Sequence, residues 1–271
     1  MLARPSLVIL ALLVAAGCKR STSSSTSSCA IFFGTPNDAT GLGPDRCRPE
    51  CACNGVTFTP PAYDAAFIRS LVEDWQLATP WPPLTSDPYA QPAPPDDPAG
   101  TVCAVLPTGD ASARPRAYRL VTYASQAAAS AAGARVTHFG HCGVCSTLAN
   151  LAVYLRNNDL TAPVRSCAFA SSDGGDPDLE CLMGLGFDLP CAQIWSYNTA
   201  NTRKLCLDIC LANLGQPYNL DDGSLNGCLQ CDEDRSGPVF KAVAGRTRRN
   251  SGVPNAICRP CAEVQPLVHS Y

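Results

Sequence analysis

The sequence predicts an α+β fold, mainly helical with a small sheet, and rich in disulfides. Three observations carry that expectation: seventeen cysteines in 271 residues, more stretches of helical than of alternating period, and 46% hydrophobic against 16% charged residues. A chain of this length and composition can bury a core unaided. The cysteines therefore brace a domain that already has an interior. A formal net charge of −3 leaves no basic footprint for nucleic acid.

The N-terminal residues read as an address. Arg4 precedes an apolar run, Leu7 to Ala16, too short to span a bilayer, and the run ends in Ala15-Ala16-Gly17-Cys18. Small residues directly before a cysteine resemble the lipobox of bacterial lipoproteins, where the signal is cut before the cysteine and its thiol is lipidated. The resemblance implies a signal peptide over residues 1–17 and lipid attachment at Cys18. The chain is then held to a membrane of the cell envelope, facing the periplasm or the exterior. Lys19-Arg20 and a tract of Ser and Thr alone, Ser21 to Ser28, complete an 18–28 segment suited to a flexible tether. The other reading is an ordinary secretory signal with Cys18 as one more disulfide partner. Without Cys18 the cysteines number sixteen, an even count expected of a disulfide framework in an exported chain. Sixteen allow on the order of two million pairings, so connectivity is not deducible.

Residues 29–79 form a first unit, with Cys47, Cys51 and Cys53 clustered ahead of a predicted helix. Phe67, Leu71 and Trp75 share its apolar stripe, with Ile68 and Val72 beside them. Residues 80–100 hold eight prolines and read as an extended linker. Residues 101–271 form the main domain. Strands are expected at Ala117–Tyr123 and Arg135–Phe139, and helices at Ser125–Ala132, Ser146–Asn157 and Pro190–Leu214. Shorter helical turns are expected at Asp178–Gly184 and Val239–Ala244.

Chemistry concentrates around Gly140-His141-Cys142-Gly143-Val144-Cys145, between a strand and a helix predicted to start at Ser146. A thiol in a helix's first turn faces unpaired N–H groups and the positive end of the dipole, which favours thiolate. His138 and His141 lie nearby. The string resembles the papain-like cysteine peptidases, whose nucleophile is the second cysteine of a C-G-x-C motif opening a helix. That resemblance implies Cys145 as nucleophile, Cys142 as its disulfide-bonded neighbour and His269 as the base. The strand–CxxC–helix order is also similar to thioredoxin-like oxidoreductases, which implies a redox pair at Cys142/Cys145. Cys228-x2-Cys231 and Cys258-x2-Cys261 have the form of zinc knuckles, although an oxidising compartment favours disulfides. Against all of these stands the reading in which every cysteine but Cys18 is a structural disulfide.

Arg246, Arg248 and Arg249, with Lys241, could grip an anionic small molecule or glycan through guanidinium forks, or form a solvated loop. Asp173, Asp176, Asp178 and Glu180 fit a turn better than a calcium loop. No cofactor or resident metal is called for. The expectation is a lipid-anchored envelope protein with a disulfide-stapled ectodomain of structural or ligand-binding role. The alternatives are a hydrolase or transferase using Cys145 with a histidine base, and a CxxC oxidoreductase.

Overall fold

The computed structural model describes residues 31–53, 55–170 and 177–271. The expected signal, Cys18, the tether and part of the acidic loop, including Asp173 and Asp176, lie outside them.

The described residues begin with two short strands, β1 (Phe32–Phe33) and β2 (Cys47–Arg48), and then the antiparallel pair β3 (Cys51–Cys53) and β4 (Val56–Phe58). Helix α1 (Ala65–Glu73) starts where the Asp64 carboxylate accepts the Phe67 N–H at 2.7 Å, satisfying an orphan donor of the first turn. The helix expected to run through Trp75 stops short of it. Trp75 instead opens β5 (Trp75–Leu77), parallel to a later strand. There its ring meets Tyr118 edge-on at 6.2 Å and lies 5.5 Å from the Arg116 guanidinium, contacts that local helical spacing does not foresee.

The main sheet adds β6 (Val102–Pro107), β7 (Arg116–Tyr123) and β8 (Arg135–Phe139) in the order β5-β7-β6-β8, with β6 antiparallel to both neighbours. Between β7 and β8, α2 (Gln126–Ala131) covers one face, packing Ala129 with Ala134 against Val102 and Ala104. The other face, Val105 and Tyr118, packs on α3 (Leu148–Arg156) and Leu71 of α1. Leu148 and Leu151 are fully buried there, each worth about 1.5–3 kcal/mol relative to exposure. The register of β8 slips opposite Cys103/Ala104, leaving Thr137 out of the ladder, as a bulge does.

Helices fill the rest: α4 (Thr161–Ala170), α5 (Pro177–Gly184), α6 (Leu189–Ala212), α7 (Gly227–Arg235), α8 (Gly237–Ala244) and α9 (Arg248–Ser251). Strand β9 (Arg259–Pro260) then returns antiparallel to β1. The two units read from the sequence thus share two sheets. They are also cross-linked by Cys47–Cys258 and Cys51–Cys261, spanning 211 and 210 residues.

The proline-rich segment is a strap laid on the helices. Trp81, Leu84 and Tyr89 pack against the main core. Leu84 exchanges backbone hydrogen bonds with the Gln193 amide at 2.7 and 3.1 Å, and the Tyr89 hydroxyl donates to Ser236 O at 3.0 Å. Near its end, Asp97 accepts from the His141 backbone N–H and ring Nδ1, both at 2.8 Å.

Candidate functional site

The residues around Cys145 assemble, but not as an accessible thiol site. Helix α3 begins two residues later than expected, capped by Thr147, whose hydroxyl accepts the Asn150 N–H at 3.1 Å. Cys145 therefore precedes the helix instead of sitting in its first turn. Its sulfur is bonded to Cys191 at the start of α6, and Cys142 is bonded to Cys103 of β6. Both the nucleophile and the redox-pair expectations are corrected by this pairing: neither thiol is free, and the two are not joined to each other. The physical reason is local. The Gly143-Val144 turn leaves Cys142 over the sheet while Cys145, fully buried, points into the core. The Asp188 carboxylate ties the same place together, accepting Thr147 Oγ1 at 3.1 Å, Asn150 Nδ2 at 2.9 Å and Cys191 N–H at 3.2 Å. One carboxylate thus serves the N-termini of both α3 and α6, and burial raises its pKa.

The three histidines are committed elsewhere. His138 Nδ1 bonds its neighbour's carbonyl, Phe139 O, at 3.0 Å, which leaves Nε2 to accept the Ser146 hydroxyl at 2.7 Å. A Ser–His pair of this geometry could activate a hydroxyl, and sequence reading missed it. Both residues are fully buried, however, so no substrate reaches them. Burial, then the Arg246 charge, holds the His138 pKa well below its ordinary value. His269 Nε2–H donates to Ser251 O (2.9 Å), and its Nδ1 lies 3.0 Å from Tyr271 Oη. Burial and Arg246 draw its pKa down to about 3. His141 bridges Asp97 and Ala242 O, the latter at 2.6 Å from Nε2.

Of the three arginines expected to grip an anion, two serve the interior. Arg246 is fully buried with no carboxylate partner among the described residues. It donates to Cys145 O (3.2 Å), Ser146 O (3.0 Å) and both Thr137 O (2.8 Å) and Thr137 Oγ1. The bulged Thr137, outside its ladder, finds its partner here. Arg248 donates to Tyr154 O at 2.9 Å, to Pro254 O at 3.1 Å and to Asn157 O. It thereby places a cation at the C-terminus of α3, and burial lowers its pKa to about 10. Arg249 is paired with Glu233 at 2.6 Å and Glu263 at 3.1 Å. The stretch expected as a loose basic loop is capped instead, because Thr247 and Asn250 form a capping box over α9. The zinc-knuckle reading is overturned too. Cys228 and Cys231 bond Cys210 and Cys206, while Cys258 and Cys261 bond Cys47 and Cys51.

What the structure offers in place of a thiol site is a groove of about 800 Å³, within the range of small-molecule sites. One face of α6 forms its long wall, from Trp195 through Asn198, Thr199, Thr202, Arg203 and Leu207 to Leu211, with Leu214 in the turn that follows. These positions recur at three- and four-residue spacing, as one helical face requires. Val164 and Arg165 of α4 stand on one side, Leu229, Asp232 and Glu233 of α7 on the other, and Phe240 of α8 near Trp195. Cys206–Cys231 and Cys210–Cys228 set the α6–α7 wall: i, i+4 on one helix meets i, i+3 on an antiparallel neighbour. Leu207, Leu211 and Leu214 remain 46%, 52% and 66% exposed.

The groove's polar groups are mostly matched. Asp232 accepts from Asn198 at 3.0 Å and from Thr202. Asp159 accepts from Tyr218 at 2.8 Å and the Thr161 N–H at 2.8 Å. Glu233 pairs with Arg249 and Arg259. The Tyr154 hydroxyl and Trp195 indole N–H, both groove residues, are buried without a hydrogen bond of normal geometry among the described residues. Burial chiefly raises the Tyr154 pKa to about 12, against the nearby Arg248 charge.

Sequence reading found α6 but not the groove. The available signal was Leu205, Leu207, Ile209, Leu211 and Leu214, more apolar positions than one core-facing stripe needs.

Residues 176–267 match a family of unknown function (DUF8771). The match covers less than half of the chain and includes α6 to α9, hence much of the groove, while the α4 wall lies outside it. No curated protein and no solved structure matches the chain. Among the described residues, no helix is long and apolar enough to cross a membrane.

Proposed function

We propose that this chain is an exported envelope lipoprotein, anchored through Cys18, whose disulfide-braced body binds a small ligand in the α4/α6/α7 groove. The observation that supports the binding role is that groove: a concave surface of ligand size whose leucines are left uncovered and whose long wall is cross-linked in place. The seven disulfides described support an oxidising compartment, and the Ala-Ala-Gly-Cys sequence supports the anchor. An enzymatic role through Cys145 would require breaking its buried bond to Cys191 first.

The test uses the oxidised full chain carrying Cys18→Ser, exported without lipid and titrated with the neutral apolar fluorophore N-phenyl-1-naphthylamine. One saturable site per chain is expected, lost in Leu211→Asp with the melting temperature unchanged. Absence of saturable binding would remove the ligand-binding role. In the native chain, an alkyne-tagged fatty acyl label should attach and should disappear in Cys18→Ser. A chain that stays unlabelled before substitution would remove the anchor.

A further inference from the structure

We infer that the groove takes a single-chain amphiphile with an anionic head, a long-chain carboxylate, lying along α6 with its head at Arg203 and its tail over Leu207, Leu211 and Leu214. This inference rests on the ligand-binding reading and names the ligand.

The first argument is order. Arg203, Leu207 and Leu211 line the groove at i, i+4 and i+8, one row on α6, and Leu214 continues the lining in the turn just past the helix end. The eight residue steps of helix from Arg203 to Leu211 span about 12 Å, the length of an extended chain of about ten carbons, and Leu214 extends the apolar lane beyond them. The tail end is closed by other apolar groups: Leu229 on α7, Val164 on α4 and Ile257.

Charge gives the second argument. The groove's acids are already served, Asp159 and Asp232 by neutral donors, Glu233 by two arginines and Glu263 by Arg249. Lys241 at the rim is taken by Asp96 at 2.8 Å. Arg165 acts electrostatically on Asp232 and Tyr218, and its guanidinium donates to the Cys228 sulfur at 3.6 Å, with no ion pair among the described residues. Arg203 donates to Ala168 O and forms no ion pair among the described residues. Its planar fork keeps donors for an oxyanion, the geometry in which arginine binds carboxylate best.

Backbone chemistry separates a lipid-like chain from a peptide. The walls are helices, whose internal N–H and C=O groups are bonded along their own axes. An extended peptide in the leucine lane would leave its amides without partners at a cost in free energy. A methylene chain has none to satisfy. Covering leucines this exposed removes apolar surface from water, which favours binding.

The experiment measures, by calorimetry on the oxidised Cys18→Ser chain, the affinity for dodecanoate and for dodecyltrimethylammonium, which share a tail and differ in head charge. Dodecanoate is expected to bind once per chain and at least tenfold more tightly. Arg203→Glu should erase or reverse that preference, and Leu211→Asp should weaken both ligands at least tenfold. Equal affinity for the two heads, or a dodecanoate affinity untouched by Arg203→Glu, would overturn the inference. If neither binds while the neutral fluorophore still does, the inference fails and the ligand-binding reading stands. If nothing binds and the chain dimerises through a face disrupted by Leu211→Asp, the groove is an interface between copies, and both fail. Circular dichroism of each variant guards against misfolding. A third variant, Arg203→Lys, keeps the charge and should retain most of the preference.

Discussion

The disulfide between Cys145 and Cys191 lies among fully buried side chains, whereas the two joining α6 to α7 lie beside leucines that solvent reaches. Around Cys145 the cross-link is added to a packed interior: Leu148, Leu151 and Ile194 touch the same cluster, and Asp188 and Arg246 tie up the polar groups nearby. In the hairpin the cross-links take the place of packing, because Leu207, Leu211 and Leu214 contribute little to a core. The same covalent device therefore does opposite things. In the core it reinforces burial, and in the hairpin it releases a helix face from the need to be buried. A groove wall can then stay apolar and open without the helix fraying.

Removing the core bond should have the largest effect. Cys145→Ala with Cys191→Ala opens a link across 46 residues and should lower global stability by about 4 kcal/mol on loop entropy, read as a shifted urea midpoint. A loss below about 1 kcal/mol would break the contrast, since the bond would then be as dispensable in the core as in the hairpin.

Acid should come next, and it too acts on the core. His138 and His269 are buried as neutral rings, the latter with its pKa drawn down to about 3 from 6.5. The unfolded chain takes up their protons below pH 6.5 and the folded chain does not, so stability falls as pH drops from 6.5 toward 3. His269 alone should cost about 2–3 kcal/mol between pH 6.5 and 4.5. Urea midpoints across that range, in the protein and in His269→Gln, would show it, the variant having the flatter profile.

The smallest effect on global stability should come from Cys206→Ala with Cys231→Ala. Cys210–Cys228 still closes the hairpin, so the residual loop entropy is small and the midpoint should move by less than about 1 kcal/mol. Amide exchange over residues 203–214 should nevertheless accelerate while that of α3 stays slow. Equal acceleration in both helices would mean that the two regions are one cooperative unit.

Elements with a local signature could be read from the sequence. The strand expected at Arg135–Phe139 and the helices expected at Ser146–Asn157 and Pro190–Leu214 match the structure to within two residues at each end, because each rests on a local pattern. Trp75 shows the limit: it fits helical spacing with Phe67 and Leu71, but a strand more than forty residues away recruits it into a sheet. Helix α4 was hidden by Pro163, which is harmless in a first turn whose N–H groups lack partners anyway. Helix α7 was hidden by its polar run, Gln230 to Arg235. It is held by the Asn226 cap and two cysteines, neither of which leaves a hydrophobic period. The groove needed all three of α4, α6 and α7 in register, and that depends on which cysteines meet. Parity and spacing do not encode the pairing.

Cys47–Cys258 and Cys51–Cys261 have a consequence for how the protein is made. A chain threaded outward from its N-terminus exposes Cys47 and Cys51 to oxidation long before their partners emerge, some 210 residues later. Cys53, itself disulfide-bonded, and Cys103 appear first and offer closer sulfurs. An oxidant that joins cysteines in order of arrival would trap the wrong pairs. Maturation therefore calls for a compartment that can reshuffle disulfides as well as make them. A host lacking that capacity should yield this chain as mispaired isomers of the correct mass.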